Sequence, residues 1–278
     1  MAVTTRDEGP RFARDLYRGT AYYYDRYRPP YPEAMTGWLI ERAEVSGHGR
    51  LLDLACGTGQ LTFPLRRWFA EAWAVDREPD MVEAVRAKAA AQAAGIVRAI
   101  VADAETLDAE PDYFELAVIG NAFHRLERDR VADRLFRWLR PGGSLALCWS
   151  LGPQAGDGAW QCALADLLGR WQRTLGAEHR VPANWDESRR LRPDQQVLSA
   201  AGFTGTERQE FTVEHQWSLP ELAGFVRSTS FLPDSVLGGQ GAAFDADLAA
   251  SLGPLADGGA FRQAVSFACE LARKPLAD

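Results

Sequence analysis

The sequence predicts an α/β chain built on a mostly parallel sheet, and three observations carry that prediction. From Arg50 to Trp149 short apolar runs alternate with amphipathic helical stretches, the pattern of strands joined by crossover helices. Within that region Leu51 to Leu61 reads as a buried strand, a tight glycine turn and the start of a helix, a unit that presents unpaired backbone N–H groups to a ligand. Hydrophobic residues make up 46% and charged residues 25% of the 278, the profile of an ordinary globular chain.

In chain order, residues 1–20 are polar, with a short helix expected around Phe12 to Tyr17. Tyr22-Tyr23-Tyr24-Asp25-Arg26-Tyr27-Arg28-Pro29-Pro30-Tyr31-Pro32 follows, with five tyrosines in ten residues. Tyrosine has an apolar body and a polar tip and suits the rim of a half-wet pocket. The prolines stiffen the segment and stop a helix before it. Met35, Trp38, Leu39, Arg42 and Ala43 have helical spacing, and His48-Gly49 ends that helix. Strands are then expected at Arg50–Leu54, Ala72–Asp76, Val97–Ala102, Phe114–Gly120 and Ser144–Trp149. Helices are expected at Leu61–Phe69, from Pro79 to about Ala93 with Gly95 closing it, and at Arg128–Leu139 before Pro141-Gly142-Gly143. Proline suits the first helical turn and glycine the residue past the last.

The alternation breaks at Ser150. Helices are expected at Ala159–Leu175 and Asp194–Ala201, and a strand at Thr206–Val213. Ser218-Leu219-Pro220-Glu221 has the form of a capping box, opening a helix to about Thr229. A helix at Asp245–Leu252 and a last strand at Gln263–Leu271, antiparallel to its neighbours, complete the chain.

Composition limits the partners. A net charge of −7 argues against nucleic acid or an anionic membrane surface as the main partner. Arg189, Arg190 and Arg192 are read as a solvated face. No run of 18 apolar residues would span a membrane, and the N-terminus lacks the apolar core of a signal peptide. Cys56, Cys148, Cys162 and Cys269 are far apart and the four histidines are scattered, so neither a metal site nor a disulfide framework is expected. A reduced, cytoplasmic protein is the simplest reading.

The glycine turn decides the cofactor class. Asp53 enters it, and Thr62 occupies the position where a dinucleotide fingerprint has its third glycine. A carboxylate repels a pyrophosphate and attracts a cation. S-adenosylmethionine (SAM) carries an ammonium and a sulfonium and no phosphate. The run Asp53-Leu54-Ala55-Cys56-Gly57-Thr58-Gly59 resembles the first motif of class I SAM-dependent methyltransferases, in the small-molecule, type 11-like branch. Asp76 lies seventeen residues after Gly59, where a carboxylate can accept bonds from ribose hydroxyls; an exposed turn aspartate is the alternative. Met81 stands where the family places an apolar residue against adenine, or is core filler. Asp103-Ala104-Glu105 resembles the family's acidic motif that meets the adenine amine, although Asp is also a common helix cap.

Asn121-Ala122-Phe123-His124 ends the fourth strand and should border the reaction. His124 is a candidate general base or a structural histidine. Tyr-x-x-Tyr-Arg-Pro-x-Tyr-Pro resembles a segment that folds over cofactor and substrate in small-molecule methyltransferases. Arg28 is then a candidate clamp for the methionine carboxylate, or part of an ordinary salt bridge. Tyr24 and Tyr27 are candidates to face the substrate.

The resemblance covers about residues 22–150. It implies a Rossmann-like seven-stranded sheet of order 3-2-1-4-5-7-6, the last strand antiparallel, with helices on both faces. Ala55 stands where the family usually has glycine or another small residue, and about fifty residues separate the last two strands. The expected organisation is a single domain over 1–278. It has an N-terminal lid at 1–45, a SAM-binding core at 46–150, cap insertions at 151–203 and 214–262, and the last strands at 204–213 and 263–271. Trp160, Trp171, Trp185, Trp217, Phe225 and Phe231 are candidate linings of an apolar pocket, or core of the cap. The expected cofactor-binding set is Asp53, Ala55, Gly57, Gly59, Asp76, Met81, Asp103, Ala104, Asn121 and Arg28, with no metal. The expected reaction is methyl transfer from SAM to an O, N or C nucleophile of a small molecule, natural products included, with S-adenosylhomocysteine (SAH) as the product. A SAM-binding cyclase or decarboxylase, or a dinucleotide-dependent oxidoreductase, are the alternatives. The substrate and the oligomeric state are not encoded legibly.

Overall fold

A computed structural model describes residues 12–182 and 185–276, with the side chains of Trp185 and Asp186 outside it. Among the described residues seven strands form one sheet of order β3-β2-β1-β4-β5-β7-β6. They are β1 (Arg50–Leu54), β2 (Glu71–Asp76), β3 (Val97–Val101), β4 (Phe114–Gly120), β5 (Leu139–Ser150), β6 (Thr204–Trp217) and β7 (Phe261–Arg273). The first five pair in parallel, while β7 runs antiparallel to both β5 and β6. The helices are α1 (Ala21–Tyr27), α2 (Glu33–Arg42), α3 (Thr62–Leu65), α4 (Pro79–Ala91), α5 (Arg128–Trp138) and α6 (Ala159–Thr174). They continue with α7 (Trp185–Leu191), α8 (Asp194–Ala200), α9 (Leu219–Arg227), α10 (Asp234–Leu237) and α11 (Gly241–Leu252).

Side-chain alternation along the central strands distributes two cores. Leu52, Leu54, Ala117, Ile119, Leu145 and Leu147 face α5 and α8, where Val131, Leu135, Trp138, Val197 and Leu198 cover them. Leu51, Leu116, Val118, Ala146 and Cys148 face the opposite way, onto Met35 and Leu39 of α2, Leu61 just before α3 and Leu65 at its end. Each strand is therefore apolar on both sides, as a sheet covered on both faces requires.

A third core forms the cap. Leu164, Leu167 and Leu168 of α6 meet Leu222, Phe225 and Val226 of α9 and Phe244, Leu248 and Leu252 of α11. Trp217 and Phe261 belong to this cluster and face each other across the last pair of the β6–β7 ladder. The indole N–H of Trp217 donates to Gln263 Oε1 at 2.8 Å. Ser218 and Glu221 form the expected capping box at the start of α9.

Four expectations need correction. The second insertion begins after Trp217 and ends before Phe261, because the hairpin extends through polar residues of an edge strand. Residues 151–203 do not all join the cap: α6 does, but α8 packs on the sheet beside α5. Residues 14–19 form turns rather than a helix, and the helix is α1, made of the tyrosine-rich residues themselves. Two of the three arginines read as a solvated face are tied down, Arg189 pairing with Asp194, as Arg128 does, and Arg192 with Asp129, so that α5, α7 and α8 are joined, while Arg190 is exposed.

Candidate active site

The glycine turn crosses the carboxyl ends of β1 and β2. Cys56 N donates to Val75 O at 3.0 Å and Gly59 N to Cys56 O at 2.9 Å. Asp76 binds the turn to β2, its Oδ2 accepting from Gly57 N at 2.8 Å and its Oδ1 from Glu78 N at 2.9 Å. Burial raises its pKa, and these amide bonds oppose that shift. Gly57 has φ +54°, and a Cβ there would lie 3.2 Å from the Tyr24 ring. Ala55 (φ +58°) and Asn121 (φ +51°) are also left-handed, at the ends of β1 and β4. Such backbone is strained for alanine and tolerated by asparagine. Asn121 is held there by its side chain, whose Nδ2 donates to Ser150 Oγ at 2.7 Å and whose Oδ1 accepts from Ser150 N at 2.9 Å.

These strand ends open into a cavity of about 250 Å³. Its walls bring together Ala55, Gly57, Asp76, Met81, Asp103, Ala104, Asn121 and His124 with Tyr24 and Arg28 from the N-terminal segment. That segment is tied across the opening. Gly19 N and Ala21 N donate to Asp80 Oδ2 at the start of α4, and Arg180 joins Leu16 O to Ser230 O. The cap contributes Phe225 and Phe231, whereas Trp160, Trp171 and Trp217 belong to the cap's own core. The side chain of Trp185 lies outside the described residues.

Cations and carboxylates are unevenly paired around the cavity. Asp103 is bridged by Arg77 at 2.7 Å and Arg14 at 3.5 Å. Among the described residues Arg28 has no carboxylate partner: its Nε donates to Ser228 Oγ at 2.9 Å and its Nη2 to Ser228 O at 3.1 Å. Its guanidinium lies 4.8 Å from the ring centres of both Tyr24 and Phe225. Burial lowers the pKa of Arg28 and raises that of Tyr24, so the phenol stays protonated and can only donate or accept a hydrogen bond. His124 is pushed down to about 4 by burial, with the charge of Arg189 adding to the effect. Its Nε2 accepts from Arg125 Nε at 3.0 Å. Arg125 was not legible as a site residue. Its only signal was its place directly after His124 at a strand's carboxyl end.

Residues 51–143 match the family model described as a methyltransferase domain. The ubiquinone/menaquinone biosynthesis C-methyltransferase of Stutzerimonas stutzeri is 34% identical over 187 residues, covering 60% of this chain and 70% of that protein. The chain belongs to the class I SAM-dependent methyltransferases. An uncharacterized methyltransferase of Mycobacterium tuberculosis is 32% identical over 147 residues, 53% of this chain, and the chain spans only 56% of that relative's length. The fold recurs in a solved structure from Anaeromyxobacter dehalogenans (TM-score 0.58, 21% identity, covering 90% of this chain and 100% of that one). It recurs also in a phosphoethanolamine N-methyltransferase of Haemonchus contortus bound to phosphomonomethylethanolamine and SAH (TM-score 0.53, 14% identity, 92% and 57%).

Three of the residues assigned from methyltransferase motifs do not reach the cavity. Asp53 is 1% exposed and turns inward, its Oδ2 accepting from Thr62 Oγ1 at 2.5 Å. Burial pushes its pKa up to about 7. Gly59 is needed for packing, since a Cβ there would lie 2.7 Å from the Phe63 ring. Tyr27 stacks on Tyr23 and covers Gly224, where a Cβ would lie 2.4 Å from its ring. It docks α1 onto α9 and is no candidate for touching a substrate. Among the described residues no helix is long and apolar enough to cross a membrane.

Proposed function

We propose that the chain binds SAM in this cavity and transfers its methyl group to a small-molecule acceptor. The observation that carries the reading is the presence in one cavity of a strand-end carboxylate, Asp76, and of a guanidinium, Arg28, that has no carboxylate partner among the described residues. A ligand with a hydroxylated ribose at one end and an amino-acid carboxylate at the other satisfies both. Gly57 fits the same ligand. Its missing side chain leaves the backbone bare where Tyr24 closes the pocket.

When bound, SAM supplies a methyl group already made electrophilic by the sulfonium. The chain's residues then bind, orient and exclude water. Arg28 would hold the carboxylate tail, Met81 and Ala104 would give the adenosine an apolar wall, and Asp103 would offer it an acceptor. The N-terminal segment and the cap close the cavity over the acceptor. His124, pushed down to about 4, is neutral near neutral pH and only a weak base there, and burial keeps the Tyr24 phenol protonated. His124 is a positioning residue in this reading, holding Arg125 rather than taking a proton.

Calorimetric titration with SAM, SAH and NAD, together with SAH release from labelled SAM, tests the proposal. Saturable one-to-one binding of SAM that SAH displaces is expected. Arg28→Met should weaken it at least tenfold, the scale of a lost charge-assisted bond. Binding of NAD in preference to SAM, or SAM binding indifferent to Arg28, would overturn it.

A further inference from the structure

We propose that the acceptor carries a carboxylate and that Arg125 is the residue that seizes it. This inference names the acceptor class for the site proposed above and so rests on that reading. The cavity holds a second guanidinium with no carboxylate partner among the described residues. Arg125 follows β4, lines the cavity, and donates from Nε to His124 Nε2 and from Nη1 to Tyr17 Oη. Its remaining company is aromatic: the Tyr17 ring centre lies 4.6 Å and the Phe12 ring centre 5.8 Å from its guanidinium carbon.

Every carboxylate that the described residues place on the cavity wall is engaged elsewhere. Asp76 accepts from backbone amides, and Asp103 is paired with Arg77 and Arg14. Glu78 is paired with Arg18 at 3.9 Å, and Glu105 accepts from Glu127 N at 3.3 Å. Burial depresses the Arg125 pKa to about 10, with no acidic neighbour among the described residues offsetting it. A buried cation is retained where something pairs with it.

SAM brings one carboxylate, and Arg28, packed against the Tyr24 ring that covers Gly57, is placed to take it. Arg125 follows the central strand β4 and is held by the N-terminal segment rather than by α9, on the Tyr17 ring, which stands edge-on between it and the Tyr24 ring under Arg28. Its Nη2 makes no hydrogen bond among the described residues, which leaves a planar pair of donors for a planar anion. Phe12, Tyr17 and the cap residue Phe231 give that anion an apolar body to belong to.

The test needs no knowledge of the natural acceptor. Protein saturated with SAH is titrated calorimetrically with benzoate, cinnamate and 4-phenylbutyrate and with the amide of each. At least one acid should bind tenfold or more tighter than its amide. Arg125→Gln should bring that ratio to near one, Arg125→Lys should restore part of it, and SAH affinity should be the same in all three proteins. No acid binding better than its amide to the unmodified protein overturns the inference, and that outcome does not depend on any variant folding. Loss of SAH affinity in Arg125→Gln in proportion to the acid also overturns it, by assigning Arg125 to the cofactor. Failure of the unmodified protein to bind SAH defeats the methyltransferase reading instead. The acid-to-amide ratio is then measured on the protein alone.

Discussion

Replacing Asp53 by asparagine separates a carboxylate that binds cofactor from one that holds the turn. Its pKa rises from an ordinary 3.8 to about 7 because the side chain is buried. The folded chain therefore keeps its proton where the unfolded chain has lost it. Stability falls as pH rises through that window and is flat above it. Asparagine has nothing to lose. At 1.36 kcal/mol per pKa unit, the variant gains about 2 kcal/mol over the parent at pH 5 and up to about 4 kcal/mol at pH 8. Urea unfolding of both proteins at the two pH values measures the gap. SAH affinity should change less than tenfold, since Asp53 does not line the cavity. A gap that is the same at both pH values would refute the burial argument. A loss of SAH affinity of a hundredfold or more would return Asp53 to the cofactor.

Gly57→Ala should lower stability by about 1–2 kcal/mol from left-handed backbone strain. It should also weaken SAH binding at least tenfold as the Tyr24 ring is displaced, both readable in one thermal-shift titration. Ala55→Gly relieves the same strain at φ +58°. Because glycine also loosens the unfolded chain, the net gain should be no more than about 1 kcal/mol by denaturant unfolding. The rate of methyl transfer should show no inflection between pH 6 and 8 traceable to His124. Its pKa of about 4 leaves it neutral throughout, and an inflection there that His124→Asn removes would reinstate it as the base. Gly59→Ala should destabilise the chain through Phe63 while sparing the SAH affinity of whatever remains folded, checked by calorimetry below the unfolding temperature.

The parts of the site that local sequence encodes were legible. The turn at Ala55 to Gly59, Asp76 at a strand end and the Asp103-Ala104 pair all follow from where parallel strands stop, and the sheet order followed from the family resemblance. Side-chain direction was less legible. Asp53 and Gly57 lie four residues apart in one motif, yet one faces the core and the other the cavity. Only the packing of Thr62 against Asp53 distinguishes them. Tyr24 and Tyr27 could not be told apart without knowing that α1 exists and docks on α9 through Gly224. The end of β6 was missed because Glu214-His215-Gln216 looks like loop. As an edge strand exposed to solvent on one side, it needs no apolar residues there. Arg125 was missed because its meaning is the lack of an acidic neighbour among the described residues, a property of the folded arrangement.

The hairpin of β6 and β7 brings Trp217 and Phe261 side by side, so more than forty residues of cap leave and re-enter the sheet through a doorway one residue pair wide. To the sheet those residues are equivalent to a tight turn. Loop length adds little closure entropy beyond the first few residues. Exchange of that segment can therefore leave strand order untouched, but it takes Ser228 and Phe225 away from Arg28 and Gly224 from under Tyr27, so any replacement has to rebuild the seat of the N-terminal segment as well.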